Sequence, residues 1–121
     1  MIETIAIDTN IIIRLLSGDK KCLDIIHKRI LVISFITEIE LLSWPGLTHE
    51  DEIILNSFMS DCFITNVTEE LKKTTIELRK NFRLKIPDAI IAATAITKNL
   101  TLFSADDIFK KIPQLDFVYV S

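Results

Sequence analysis

The chain has 121 residues, 49% of them hydrophobic and 26% charged, with a formal net charge of −3. That length and balance suit one globular domain over residues 1–121 and exclude a disordered or fibrous chain. The acidic charge excludes a protein that grips duplex DNA by broad charge neutralisation. It does not exclude an enzyme acting on nucleic acid, because carboxylates gathered at a metal site become locally neutral once ions bind.

Residues 3–8 read as a buried parallel strand, with Ile5 and Ile7 in a mostly apolar run. Asp8, Thr9 and Asn10 supply helix-start chemistry, and Ile11, Ile12, Leu15 and Leu16 give the helical spacing that follows, up to Gly18. A helix over about 20–29 carries Leu23 and Ile26 on one face, and "ILVIS" (30–34) is a short strand. "TEIELLSW" (37–44) predicts a helix stopped by Pro45 and Gly46, with Ile39 and Leu42 facing the core. Residues 48–60 predict another, opened by Thr48 with Glu50, Asp51 and Glu52 at its positive end. "CFITNV" (62–67) is a strand, Thr68 caps a helix through about 81, and Pro87 begins a helix that runs to about Asn99. "LTLFS" (100–104) is a strand, a short helix carries Ile108 and Phe109, and "FVYV" is the last strand. Strands alternating with helices and helix pairs predict an α/β fold, a parallel sheet covered on both faces.

Such sheets place ligands beyond the C-terminal ends of their strands. Asp8 falls at one of these ends, and Asp106 follows the strand 100–104 by two residues. Glu40 lies about one and a half turns into the helix after strand 30–34, and Asp88 lies in the first turn of its helix. Four carboxylates from four distant segments are thus expected on one edge. Unpaired, they would repel one another and raise some of their pKa values, a cost that bound cations remove. With no cysteine or histidine beside them, an oxygen-only set suits Mg²⁺ or Mn²⁺, one ion or two. Phosphodiester hydrolysis is the chemistry such a site serves best, since an ion can lower the pKa of an attacking water and no protein nucleophile is needed.

"IDTN" (7–10), "TEIELL" (37–42), "IPDAIIAATA" (86–95) and "LFSADDIF" (102–109) together resemble the PIN-domain family, in particular the VapC-like toxins of toxin–antitoxin pairs. The resemblance spans nearly the whole chain in motif order and spacing. It implies a single-domain, three-layer α/β/α sandwich with a mostly parallel central sheet and Mg²⁺- or Mn²⁺-dependent endoribonuclease activity. It implies a homodimer, and an antitoxin whose C-terminal segment lies along the active-site groove. The catalytic and metal-binding set it implies is Asp8, Glu40, Asp88 and Asp106. The family pattern selects Glu40 over Glu38. The fourth motif departs from the commoner pattern, with Ser104 in place of threonine and Ile108 in place of an acidic residue, so Asp107 stands as an alternative to Asp106.

Other residues are candidates for support. Ser104 and Asn10 could orient a ligand carboxylate. Arg14 could meet an RNA phosphate or an antitoxin carboxylate. In "RKNFRLK" (79–85), Lys80, Arg83 and Lys85 could guide an RNA backbone, with Phe82 stacking on bases or buried in the core. Trp44 suits a dimer or antitoxin interface, or the core. Cys22 and Cys62 lack CxxC spacing, and with only His27 and His49 to join them reduced thiols are expected rather than a zinc site. No apolar run approaches the ~20 residues of a membrane span, and Glu3 and Asp8 interrupt the stretch a signal peptide needs, so a cytoplasmic protein is expected.

Three other functions compete. A receiver-type Mg²⁺-binding signalling domain would place a phosphoacceptor aspartate after a central strand, where "NVTEE" stands instead. A phosphate- or dinucleotide-binding module would want a glycine-rich loop, and the chain has only Gly18 and Gly46. A PIN-like domain that has lost activity and only binds protein would be expected to bind divalent ions weakly.

Overall fold

β1 (Thr4–Ile7) lies at the centre of a five-stranded sheet of order β3-β2-β1-β4-β5. In the computed structural model, which describes residues 1–121, every strand pair is parallel. The other strands are β2 (Ile30–Ser34), β3 (Phe63–Thr65), β4 (Leu102–Ser104) and β5 (Phe117–Tyr119). Ala6 pairs with Val32 on one side and with Leu102 on the other, which fixes the register at the centre.

Alternation along β1 sends its side chains into two cores. Ile5 and Ile7 enter one with Leu31, Ile33 and Phe103, against α1 (Thr9–Leu16), α2 (Lys20–Ile26), α3 (Phe35–Leu42) and α4 (His49–Ser60). Ala6 and Leu102 enter the other, against α5 (Glu69–Phe82), α6 (Ile86–Thr97) and a 3-10 helix at Asp107–Lys111. The result is the α/β/α sandwich, with a sheet that is wholly rather than mostly parallel. No helix is long and apolar enough to cross a membrane.

The helix starts follow from local chemistry. Asp19, Ser34 and Thr68 each accept a hydrogen bond from a first-turn N–H, and Thr48 forms a capping box with Asp51. Pro87 opens α6, and Arg83, in the left-handed region at φ 55°, ends α5.

Two expected helix faces are rotated. On α3, Ile39 and Leu42 are 54% and 37% exposed, and Thr37 and Leu41 are buried in their place. Ser34 caps this helix straight from the end of β2, so the turn starts at Phe35 and its inward stripe runs through Thr37 and Leu41. On α2, Leu23 is exposed and Cys22 is buried.

α6 packs with an almost complete alanine surface. Ala89, Ala92, Ala93 and Ala95 have no exposed area, and Ile91 adds bulk beside them. Short side chains bring this helix close to the sheet and to α5, and a longer one has nowhere to go. Ala92→Leu should therefore destabilise the protein by about 1–3 kcal/mol through overpacking. Urea unfolding should show a lower midpoint at unchanged slope, and a wild-type midpoint would mean the interface is not close-packed.

Candidate active site

The strand order reverses direction at β1: the chain moves outward through β2 and β3, then crosses to β4 and β5. A crevice opens at the C-terminal ends of strands flanking such a switch point. Asp8 is the first residue after β1, and its N–H is held by Phe103 of β4 at 3.0 Å. Asp106 lies two residues beyond β4. Glu40 comes in on α3, directly behind β2, and Asp88 sits in the first turn of α6.

Asp8 is only 6% exposed and is held on both oxygens. Oδ1 accepts from the Thr9 N–H at 2.7 Å, and Oδ2 accepts from the Ser104 hydroxyl at 2.7 Å and from Asn10 Nδ2 at 3.4 Å. Asn10 also accepts the Ala105 N–H at 3.1 Å, tying the start of α1 to the loop after β4. The Ser104 hydroxyl, fully buried, accepts the Asp106 N–H at 3.0 Å while it donates to Asp8. Asp106 uses Oδ1 to cap the 3-10 helix through Ile108. Ser104 and Asn10 thus orient an acidic residue, as the sequence suggested. On α3, the Thr9 hydroxyl reaches Glu40 Oε1 at 2.7 Å.

Electrostatics shows that the four carboxylates share one neighbourhood. Burial pushes the Asp8 carboxyl up to about 6; hydrogen bonds from Ser104 and Thr9 oppose this, and the charges of Glu40 and Asp88 add to it. Burial also raises Asp88, helped by Asp106 and Glu40, while Lys85 and Lys111 pull it back. Asp107 is exposed at the start of the 3-10 helix, so Asp106 is the member of that pair turned into the cluster.

Several expected helpers lie elsewhere. Arg14 is engaged within the chain: its guanidinium meets Asp19 at 2.8 Å and the Val120 and Ser121 carbonyls at 3.2 and 3.1 Å. One helical turn beyond Asn10, it points at the end of β5 rather than at the acidic edge. Phe82 is half-buried against the α5–α6 core, the second of the two places the sequence allowed it. Lys80, Arg83 and Lys85 are exposed, and of these Lys85 acts on Asp88. Trp44 is 55% exposed and is not a core anchor. It lines an apolar groove with Ile13, Leu16, Leu41, Leu47 and Ile54. Cys22 and Cys62 are free thiols.

Three nearby groups escaped the sequence reading. Thr9 had been assigned only to the helix start, Thr37 precedes Glu40 by three residues on one helical face, and Lys111 is distant in sequence from every acidic motif. The i, i+3 spacing of Thr37 and Glu40 was the one available signal.

The donors present fit a hard cation, being carboxylate and hydroxyl oxygens only. No three acidic groups stand where one ion could bind them all directly.

A sequence model of the PIN domain matches residues 5–115. The chain belongs to the PIN-domain family. Solved structures agree with the fold of this PIN domain. A chain of a toxin–antitoxin complex from Klebsiella pneumoniae is 30% identical, with a TM-score of 0.83 over 94% of this chain and 95% of that one. VapBC2 from Rickettsia felis, bound to a promoter DNA fragment, matches at 22% identity and TM-score 0.85, covering 96% and 98% of the two chains. VapBC-1 from nontypeable Haemophilus influenzae matches at 22% and 0.83, covering 96% and 97%. No curated protein matches the chain.

The raised Asp8 pKa makes a prediction for the metal-free PIN domain. The folded protein holds this proton up to about pH 6 and the unfolded chain only to about 3.8. Between those values the folded state binds more protons, so stability falls as pH rises, by on the order of 3 kcal/mol from this group. With EDTA present, wild type should lose more stability than Asp8→Asn between about pH 4 and about pH 6.5 in thermal unfolding. Parallel curves for the two proteins would contradict it.

Proposed function

We propose that this PIN domain is a divalent-metal-dependent endoribonuclease and the toxin of a toxin–antitoxin pair. What supports this reading is that Asp8, Glu40, Asp88 and Asp106 come to one sheet edge, where the charges of the others add to the upward shift that burial causes at Asp8 and Asp88. Without a cation such a cluster is a liability to the fold; with one it is a site.

Asp8, Glu40, Asp88 and Asp106 would hold Mg²⁺ or Mn²⁺. Bound there, the ion would supply an acidified water and positive charge at the scissile phosphate. The chain's own part is positional. Ser104, Thr9 and Asn10 fix the Asp8 oxygens, and the alanine face of α6 delivers Asp88 to the edge. Lys85 and Lys111, whose charges act on Asp88, would meet RNA phosphates near it. Ser104, Thr9 and Thr37 are the buried hydroxyls here, and each is already hydrogen-bonded. They stand as supports for the carboxylates instead of nucleophiles. In this reading the attacking group is therefore a water and not a side chain of the protein.

The test is cleavage of total cellular RNA by the purified protein with Mg²⁺ or Mn²⁺ and with EDTA, together with metal-induced stabilisation. Asp8→Asn and Asp88→Asn should each lower cleavage at least about a hundredfold, since even residues behind metal ligands are commonly worth 10–100-fold. Asp88→Asn should stay folded. Mn²⁺ should raise the melting temperature of wild type and not of the variants. Absence of both cutting and metal stabilisation would leave a PIN-like domain that only binds protein.

The apolar groove around Trp44 supports the partner half of this reading. Trp44, Leu16 and Ile54 are 55%, 43% and 52% exposed, an unusual concentration of large apolar side chains in one concavity. An antitoxin segment laying an apolar helix face into it would follow a common recognition mode. Trp44→Ala should weaken the complex at least about thirtyfold, as loss of a central aromatic anchor does, while RNA cleavage by the free protein stays within about twofold of wild type. Unchanged affinity in calorimetry would move the interface elsewhere. In this reading the RNA substrate and the antitoxin would be met in the cytoplasm, and the family resemblance implies a homodimer.

A further inference from the structure

Thr9 stands between two of the acidic residues and touches both. Its backbone N–H donates to Asp8 Oδ1 at 2.7 Å, and its hydroxyl lies 2.7 Å from Glu40 Oε1 and 3.1 Å from the Thr37 hydroxyl. A hydroxyl has one proton to give, whereas an ionised carboxylate can only accept. The Thr9 proton therefore goes to Glu40, in the shorter and charge-assisted contact. The Thr37 hydroxyl must then donate to Thr9. Thr37 has no exposed area and Thr9 is its side-chain partner, and a buried hydroxyl is not left unpaired. The chain from Thr37 through Thr9 to Glu40 can run in one direction only.

We infer that Thr9 and Thr37 are positioning residues that lock the Glu40 carboxylate, committing Oε1 to the protein and leaving Oε2 to face a cation. A glutamate on a half-buried helix face has three side-chain torsions to settle, and a single donor at its tip removes most of that freedom. The bond arriving from Thr37 polarises the Thr9 hydroxyl and strengthens what it gives to Glu40. Because the N–H of the same residue holds Asp8, Thr9 sets the spacing of two carboxylates that arrive on different helices, α1 and α3. The inference rests on the metal-dependent reading above.

The experiment uses the whole protein, freed of metal, with three variants. Thr9→Val removes the hydroxyl and keeps the backbone N–H to Asp8. Thr9→Ser keeps both. Thr9→Val/Thr37→Val also removes the hydroxyl that the single change strands in the core. Mn²⁺ affinity is measured by calorimetry, with thermal unfolding and RNA cleavage kinetics beside it.

Thr9→Val should weaken Mn²⁺ binding by about tenfold or more and slow cleavage at saturating RNA with little change in KM, and Thr9→Ser should stay within about threefold of wild type. The double variant should regain the melting temperature that Thr9→Val loses without regaining the affinity. Wild-type Mn²⁺ affinity in Thr9→Val overturns the inference, as does affinity that returns together with the melting temperature in the double variant. A wild-type protein that binds no Mn²⁺ overturns the nuclease reading and this inference with it, so that failure is told apart from failure of the hydroxyl relay alone.

Discussion

Four negative charges on one edge of a sheet, one of them almost sealed from water, set the terms for the rest of this molecule. Asp8 is 6% exposed, and desolvation outweighs the hydrogen bonds that favour its ionised form. The fold tolerates it by surrounding the cluster with donors of three kinds. Backbone N–H groups at helix starts serve Asp8 and Asp106, buried hydroxyls serve Asp8 and Glu40, and lysine charges act on Asp88 from a distance. The supply leaves some carboxylate oxygens without a protein donor, and in the proposed reading those are the ones a cation would use.

Topology decides which segments carry the charges. β1 is central, so whatever follows it lies at the point where the strand order turns back, and the residue there is Asp8. β2 and β4 flank β1 and deliver α3 with Glu40 on one side and the Ser104–Asp106 loop on the other. Asp88 arrives by packing rather than by a strand. α6 can lie close to the sheet because its inner surface is alanine, and that close packing is what brings its first turn, with Asp88, to the edge.

Much of this was legible in the sequence because strand and helix signals agree with one another here. Strand β2 falls on the residues its apolar run predicts, and proline, glycine and threonine mark most helix boundaries within a residue or two. The positions of Asp8, Asp88 and Asp106 were legible because they sit at a strand end, in a first helical turn or just after a strand, places where chain direction alone fixes the neighbourhood. What failed was rotation and pairing. Periodicity could not tell that α3 starts at Phe35, so Ile39 and Leu42 were turned inward and Thr37, the residue that underlies Glu40, passed unremarked. Arg14 stood open to a ligand in the sequence because its partner Asp19 lies across a turn and its carbonyl partners at Val120 and Ser121 lie at the far end of the chain. Lys111 reaches Asp88 through a contact between segments that no local pattern encodes.

The acidic edge and the apolar groove share their supporting helices. α1 begins at the Asp8–Thr9 pair and ends at Ile13 and Leu16 in the groove; α3 carries Glu40 beside Leu41, which is buried under the groove, and leads to Trp44. A segment filling the groove would press on the two elements that Thr9 joins. Movement of α1 against α3 by even a fraction of an ångström would lengthen the 2.7 Å contact between Thr9 and Glu40, because close-packed helices shift as rigid bodies. In the reading proposed above, a partner bound in the groove would therefore touch α1 and α3, the helices that start at Asp8 and carry Glu40, without entering the acidic edge.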